Sequence, residues 1–400
     1  MLWRILLNLR ADRHRPPLEQ LDAEDDPERF LWRILPHAAR TFSLCIVFLP
    51  PRMVRALAIA YLYCRILDTY EDLADGVEAK TASLRRFVLR FDLPAEAMGP
   101  PLRLDPALAG DDRDRAHVLL VNRVERVDAV FRGLPVEQQQ AIRRLVRRMG
   151  DGMIWSSDVF DRQSGGLRSG GQLSRYCWNV LGTTMLFAEE MQRLDAGLGA
   201  ELEDERWRVC ARAGEAIQLA NITRDVDKDL LRGIAYHPEL EPTGADRGPV
   251  DRCRHELLLR AIARGKALQL LVEGMPFPRI SRARGAAFLL VLTTYAYYRK
   301  ACARFDLPVF DPGPRVGVLR GTWWYLGTVL SARRASSILA RLSRSYQTAL
   351  DRAGEAARRP MVLDEEGFDV VEWRRSEDRG AEEAVSPLSA NPRRPLEGRG

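Results

Sequence analysis

Apolar residues recur at three- and four-residue spacing along most of this 400-residue chain. No segment shows the strict alternation of β-branched and polar residues that marks a half-buried strand. A chain with one period and not the other has to bury its apolar stripes by packing helix on helix, so the fold class is all-α. Pro51 opens the clearest segment and Gly76 closes it, Pro at the start and Gly at the stop. Within it Val54, Leu57, Ala58, Tyr61, Leu62 and Ile66 cover one face and more. The same reasoning predicts helices over roughly 78–92, 114–132, 136–158, 172–194, 202–232, 250–274, 282–304 and 320–352. Stretches rich in Pro, Gly and Asp at 94–113, 161–171, 238–250 and 306–317 separate them. None is long enough to divide the chain. The expected organisation is a partly ordered segment 1–28, one α domain over 29–350, and a charged, disordered tail over 351–400.

Composition narrows the class further. Hydrophobic residues make up 46% and charged residues 29%, which is globular, and the formal net charge of +6 favours acidic partners only weakly. The six cysteines, Cys45, Cys64, Cys177, Cys210, Cys253 and Cys302, form no C-x-x-C pair. They read as reduced thiols packed among apolar side chains in a cytoplasmic protein. The apolar run from Gly285 to Tyr298 stops at Arg299 and Lys300, the length of a buried core helix and not of a membrane span. Trp3 to Leu9 suits a loosely docked end helix or a peripheral contact with a membrane.

Two acidic clusters stand out. In YLYCRILDTYEDLAD, Asp68 and Asp72 lie four residues apart and face the same way one helical turn apart. In EAIQLANITRDVDKDLLRG, Gln218, Asn221, Asp225 and Asp229 share one stripe. Carboxylates at this spacing repel one another unless a cation lies between them. Two such stripes on mostly apolar helices suit Mg²⁺, which favours a few carboxylates together with substrate phosphate oxygens. Arg65, Arg224, Arg232 and Arg40 accompany them, and guanidinium groups suit phosphate. A salt bridge to a neighbouring carboxylate is the competing role, preferred for Arg224.

These residues belong to longer blocks. AARTFSLCIVFLPPRMVRALAIAYLYCRILDTYED, RRMGDGMI, RYCWNVLGT and QLANITRDVDKDLLRGIAYHP, in that order within residues 30–345, resemble the squalene/phytoene synthase family. The resemblance implies an isoprenoid-synthase helical bundle around a central cavity, and head-to-head condensation of two prenyl diphosphates. It also implies that Asp68, Glu71 and Asp72, with Asn221, Asp225 and Asp229, hold Mg²⁺. Arg40, Thr41, Arg65, Gln218, Arg232 and Tyr236 fall where the family contacts diphosphate or orders its ligands, with Arg315 as a fainter match. Tyr176 falls at the tyrosine near the cationic intermediate. Tyr61, Tyr63, Phe42 and Phe187 are further candidates for the cavity wall, although aromatics at helical spacing usually fill volume.

The chain departs from the family pattern at Ala38 and Ala39, where polar residues are usual, at Trp155, and at Trp178 and Asn179, which are expected to reshape the wall beside Tyr176. The Asp-Thr-x-Glu-Asp form of the first motif leans toward the squalene synthase branch, hence farnesyl diphosphate and a C30 product, with NADPH as an optional reductant. Geranylgeranyl diphosphate and a phytoene product are the alternative. A non-catalytic scaffold of the same fold has no need to keep both stripes. A nucleic-acid binder would require a basic face with interleaved aromatics. Arg143, Arg144, Arg147 and Arg148 are the tight basic cluster, and a solvated helix face explains them better.

Overall fold

The structure is a computed structural model, and it describes residues 17–39, 45–100, 102–199, 201–241, 248–305, 307, 317–353 and 368–376. Arg40, Thr41, Phe42 and Arg315 lie outside the described residues. In chain order the helices are α1 (Leu18–Asp22), α2 (Pro27–Ala39), α3 (Pro51–Leu73), α4 (Gly76–Leu89), α5 (Asp112–Asn122), α6 (Val124–Arg132), α7 (Val136–Arg162) and α8 (Gly170–Cys177). A π-helical turn, Trp178–Gly182, joins α8 to α9 (Thr183–Asp195). Then follow α10 (Asp204–Leu231), α11 (Gly248–Ala263), α12 (Gly265–Gly274), α13 (Arg282–Arg304), α14 (Val318–Leu330) and α15 (Ala332–Ala353). Among the described residues there is no strand, only an isolated bridge between Gly166 and Ala235.

The core falls into two halves. Helices α2 to α7 bury Phe30, Leu35, Ile59, Leu62, Phe87, Phe131 and Met153 in one cluster. The end of α7, with α8, the π turn, α9 to α13 and α15, buries Trp178, Ala213, Leu219, Leu258, Phe288 and Tyr298 in the other. Buried ionic networks pin the helices to one another. Asp128 on α6 accepts from Tyr63 (2.7 Å) and pairs with Arg90. Glu215 on α10 takes Arg260 (2.6 Å) and Arg264 (3.1 Å). Tyr63 also meets Phe87, Phe91 and Phe131 edge-on, so it is a core residue and not cavity lining.

Several expectations are corrected. The predicted helix over 114–132 breaks at Arg123, whose guanidinium reaches back to Asp22 (2.6 Å) while Arg126 holds the carbonyls of Leu21 and Asp22. The stretch 320–352 breaks at Ser331, which caps α15 by accepting from the Arg334 N–H (3.3 Å). The arginines of α7 are not a solvated face. Arg143 and Arg147 hold carbonyls at the end of the α4 segment, and Arg144 and Arg148 grip Glu190. The tail is not disordered throughout. Residues 370–376 form a helix with Val371 fully buried, Trp373 edge-on to Trp178, and Arg374 and Arg375 on Asp204 (2.9 and 2.6 Å).

Candidate active site

Both acidic stripes stand at the carboxyl ends of their helices. Asp68, Glu71 and Asp72 occupy the last turns of α3, which carry no basic residue in the final turn. Asp225 and Asp229 approach the end of α10. Gly233 terminates that helix at φ +77°, with its own N–H on Leu230 O (3.0 Å) and the Ile234 N–H on Asp229 O (2.8 Å). This is a Schellman stop, and the left-handed backbone at its centre is the reason a glycine follows Arg232. A helix carboxyl end already bears partial negative charge, so carboxylates there add to a field that attracts cations.

The stripes face each other. Arg232 of α10 reaches Asp72 of α3 at 3.4 Å. Arg65 pairs with Asp68 (3.1 Å) and donates to the Tyr61 hydroxyl (3.0 Å), and Arg224 pairs with Asp225 (2.6 Å), the role expected for it. Among the described residues no ion pair reaches Glu71 or Asp229, and these two carboxyls are displaced furthest. Burial lifts Glu71 to about 8, with Asp72 and Asp68 adding repulsion against the Ser156 hydrogen bond (3.1 Å). Burial and the Asp225 charge lift Asp229 to about 7, with Arg232 opposing. Asp68 rises to about 6 through burial, with Arg65 opposing. Gln218, buried, accepts from the Asn221 amide (3.1 Å), which fixes both side chains on the stripe.

Beside the acids lies an aromatic wall. The hydroxyls of Tyr176, at the end of α8, and Tyr236 are 3.0 Å apart, both residues are buried, and Phe160 presents its ring edge-on to each. The loop before α8 positions them. Leu167 N–H donates to Ala235 O (2.9 Å) and Ala235 N–H to Gly165 O (2.8 Å), which locks the segment after α10 against the segment before α8. The charges of Glu71 and Asp229 add to burial in holding these phenols well above their usual range, so they are protonated.

The structure therefore brings together Asp68, Glu71, Asp72, Arg65, Asp229, Arg232, Tyr176 and Tyr236, with Gln218, Asn221 and Asp225 along the same stripe of α10. It relocates one expected wall residue. Trp178 is fully buried against Trp207 (5.6 Å between centroids) and Trp373. Asn179 is spent on the Gly152 carbonyl (3.2 Å). Sequence reasoning missed Ser156, the hydrogen-bond donor to Glu71, and Arg113, whose charge reaches Asp68. Neither has a local signal, since each is joined to the site only by tertiary packing.

The donor set suits a divalent ion. The oxygens are hard, the acids outnumber their paired arginines, and the repulsion that lifts Glu71 and Asp229 is what a cation would remove. Arg65 keeps a buried Nε–H without a partner, a donor suited to an anionic ligand. Among the described residues, three donors come within 4.8 Å only at His237, Glu239 and Cys253. There His237 accepts from the Glu239 N–H and bonds Glu256, and Glu239 holds Arg252, so that group is a structural latch. The carboxylates of the acidic stripes do not come that close to one another in any group of three.

Comparison with known proteins assigns the family. The squalene/phytoene synthase family model matches residues 35–321, and the chain belongs to that family. It is 26% identical over 211 residues to squalene synthase BSS of Botryococcus braunii, covering 53% of this chain and 42% of that one. It is 26% identical over 241 residues to the 15-cis-phytoene synthase of Synechocystis sp., covering 58% and 61%. The chain spans about half the length of the curated relatives it matches. In fold it is similar to TcSQS solved with the ligand BPH1237, at a TM-score of 0.60 and 20% identity, over 84% of this chain and 98% of that one.

Proposed function

We propose that this site joins two prenyl diphosphates head to head, with farnesyl diphosphate as the substrate and a C30 hydrocarbon as the product. The observation that carries the proposal is the pair of acidic stripes facing each other from the ends of α3 and α10, with the Tyr176–Tyr236 wall beside them. Asp68, Glu71 and Asp72 on one side and Asn221, Asp225 and Asp229 on the other would hold Mg²⁺. Mg²⁺ held there would supply positive charge to offset that of the departing diphosphate. Arg65 and Arg232 are already set beside the acids and offer guanidinium donors to the same oxygens. The carbon–oxygen bond of the first substrate breaks with its electron pair leaving on the diphosphate. The second substrate's allylic double bond supplies the pair for the new carbon–carbon bond, and a proton is lost as the cyclopropane closes. The second diphosphate then leaves with its electron pair, and the rearranged cation is quenched by hydride from NADPH or, without it, by loss of a proton. The phenols are protonated, so they meet the cation as neutral rings and hydroxyls, and their burial keeps bulk water from quenching it. The Asp-Thr-x-Glu-Asp motif favours the C30 branch.

The test is product analysis of purified protein given Mg²⁺ and farnesyl or geranylgeranyl diphosphate, with and without NADPH. A C30 product from farnesyl diphosphate is expected. Asp68→Asn and Asp225→Asn should each lower turnover on the order of a hundredfold or more, since each removes a ligand that stabilises leaving charge. A C40 product would transfer the chain to the phytoene branch. Folded protein with no product from either substrate would overturn the proposal.

A further inference from the structure

Helix α14 carries Leu319, Trp323, Leu326 and Leu330 at successive spacings of four, three and four, which places them on one face. They are 80%, 73%, 43% and 56% exposed. No other helix among the described residues carries more than one exposed large apolar side chain. Isolated exposed leucines need no explanation, but four on one helical stripe around a tryptophan do. Ile280, 62% exposed, joins the patch at its far end, because the Ser281 N–H is bonded to Val329 O (2.9 Å).

The opposite face of α14 is firmly held. Tyr325 packs on Phe48 with ring centroids 5.1 Å apart, and the buried Arg284 guanidinium bonds the carbonyls of Thr328 (2.6 Å) and Val329 (3.0 Å). The helix is therefore fixed to the body with its apolar stripe turned outward. Its surroundings are basic. From 317 to 350 the sequence holds Arg320, Arg333, Arg334, Arg341 and Arg344 and no acidic residue, and Arg279 and Arg282 precede the helix. Arg279, Arg333, Arg334, Arg341 and Arg344 are exposed. The acidic side chain that meets α15 near this end is Glu273, bonded to Ser336.

We propose that this face of α14 docks on an anionic phospholipid bilayer. The apolar stripe would enter the boundary between headgroups and acyl chains, and the flanking arginines would lie at the level of the lipid phosphates. A tryptophan and leucines on one side, with five exposed arginines against one carboxylate, Glu273, nearby, is the charge pattern such a surface complements. A protein partner would be expected to meet carboxylates as well. No helix of the described chain is long and apolar enough to cross a membrane, so this contact lies in the interface plane. The proposal does not depend on catalysis.

The experiment is co-sedimentation of the full chain with vesicles of phosphatidylcholine alone or mixed with phosphatidylglycerol, at low and high salt. Wild type should bind the mixed vesicles and lose that binding on adding salt or omitting the anionic lipid. Trp323→Ser with Leu326→Ser should weaken binding about tenfold or more, because two side chains that enter the interface are removed. Arg333→Glu with Arg334→Glu should weaken binding to mixed vesicles. Both doublets alter exposed positions, and an unchanged melting curve would establish that they fold. Unaltered binding of the folded Trp323/Leu326 doublet would overturn the proposal and shift attention to another segment, such as residues 1–16. So would wild type that ignores both vesicles, whether it stays single or self-associates through this face in light scattering.

Discussion

Glu71 concentrates the electrostatic problem of this molecule in one side chain. It is held above its ordinary range by burial and by Asp72 and Asp68, and its hydrogen bond from Ser156 only partly compensates. A carboxyl raised in the folded state binds protons that the unfolded chain releases. Its contribution to stability is complete below the unfolded value and is lost as pH rises through the folded one. Without metal, melting temperature should therefore fall from about pH 5 to about pH 8, with Asp68 (about 6) and Asp229 (about 7) acting in the same direction. Glu71→Gln should flatten the upper part of that fall, and Mg²⁺ should raise the melting temperature more at the alkaline end. A wild type and a variant with identical slopes in EDTA would refute the assignment. Asp68, Asp72, Asp225 and Asp229 were legible in the sequence because four-residue spacing is a local signature. Ser156 and Arg113 were not, because nothing in their own neighbourhoods records what they face.

At the scale of elements, sequence periodicity located the long helices and even the stop of α10, where Arg232-Gly233 supplies the left-handed cap. It overlooked α1 and α2, and it joined α5 to α6, α11 to α12 and α14 to α15. A continuous apolar pattern does not reveal a bend made by a distant partner such as Asp22, although Ser331 was an available capping signal. The Met-Gly-x-Gly-Met run has a packing explanation. A methyl group on Gly152 would lie 2.4 Å from Asn179 Cβ, so the π-helical turn approaches α7 too closely for any side chain. Gly152→Ala should destabilise the fold by about 1–3 kcal/mol through overpacking, measured by denaturant unfolding. An unchanged midpoint would mean that the π turn yields freely. This close approach bears on the site, since Tyr176 is two residues before the turn and Ser156 is one helical turn beyond Gly152.

Across the whole molecule, the all-α class followed from one period, whereas the reach of the tail did not. Its charged composition masked the short apolar group Val370, Val371 and Trp373, which closes the core over Trp178. Val371→Asp buries an unpaired carboxylate and should cost about 3 kcal/mol in denaturant titration. No change would mean that residues 370–376 do not stay docked in solution. The two halves of the core have a further consequence. One acidic stripe grows from each half, so whatever bridges the stripes also clamps the halves together. A ligand held there acts as a removable crosslink, added to the packing of α7 and α9, which bury side chains in both clusters. Loading the site should then raise the melting temperature and sharpen the transition, a thermal signature of occupancy that appears before any product has formed.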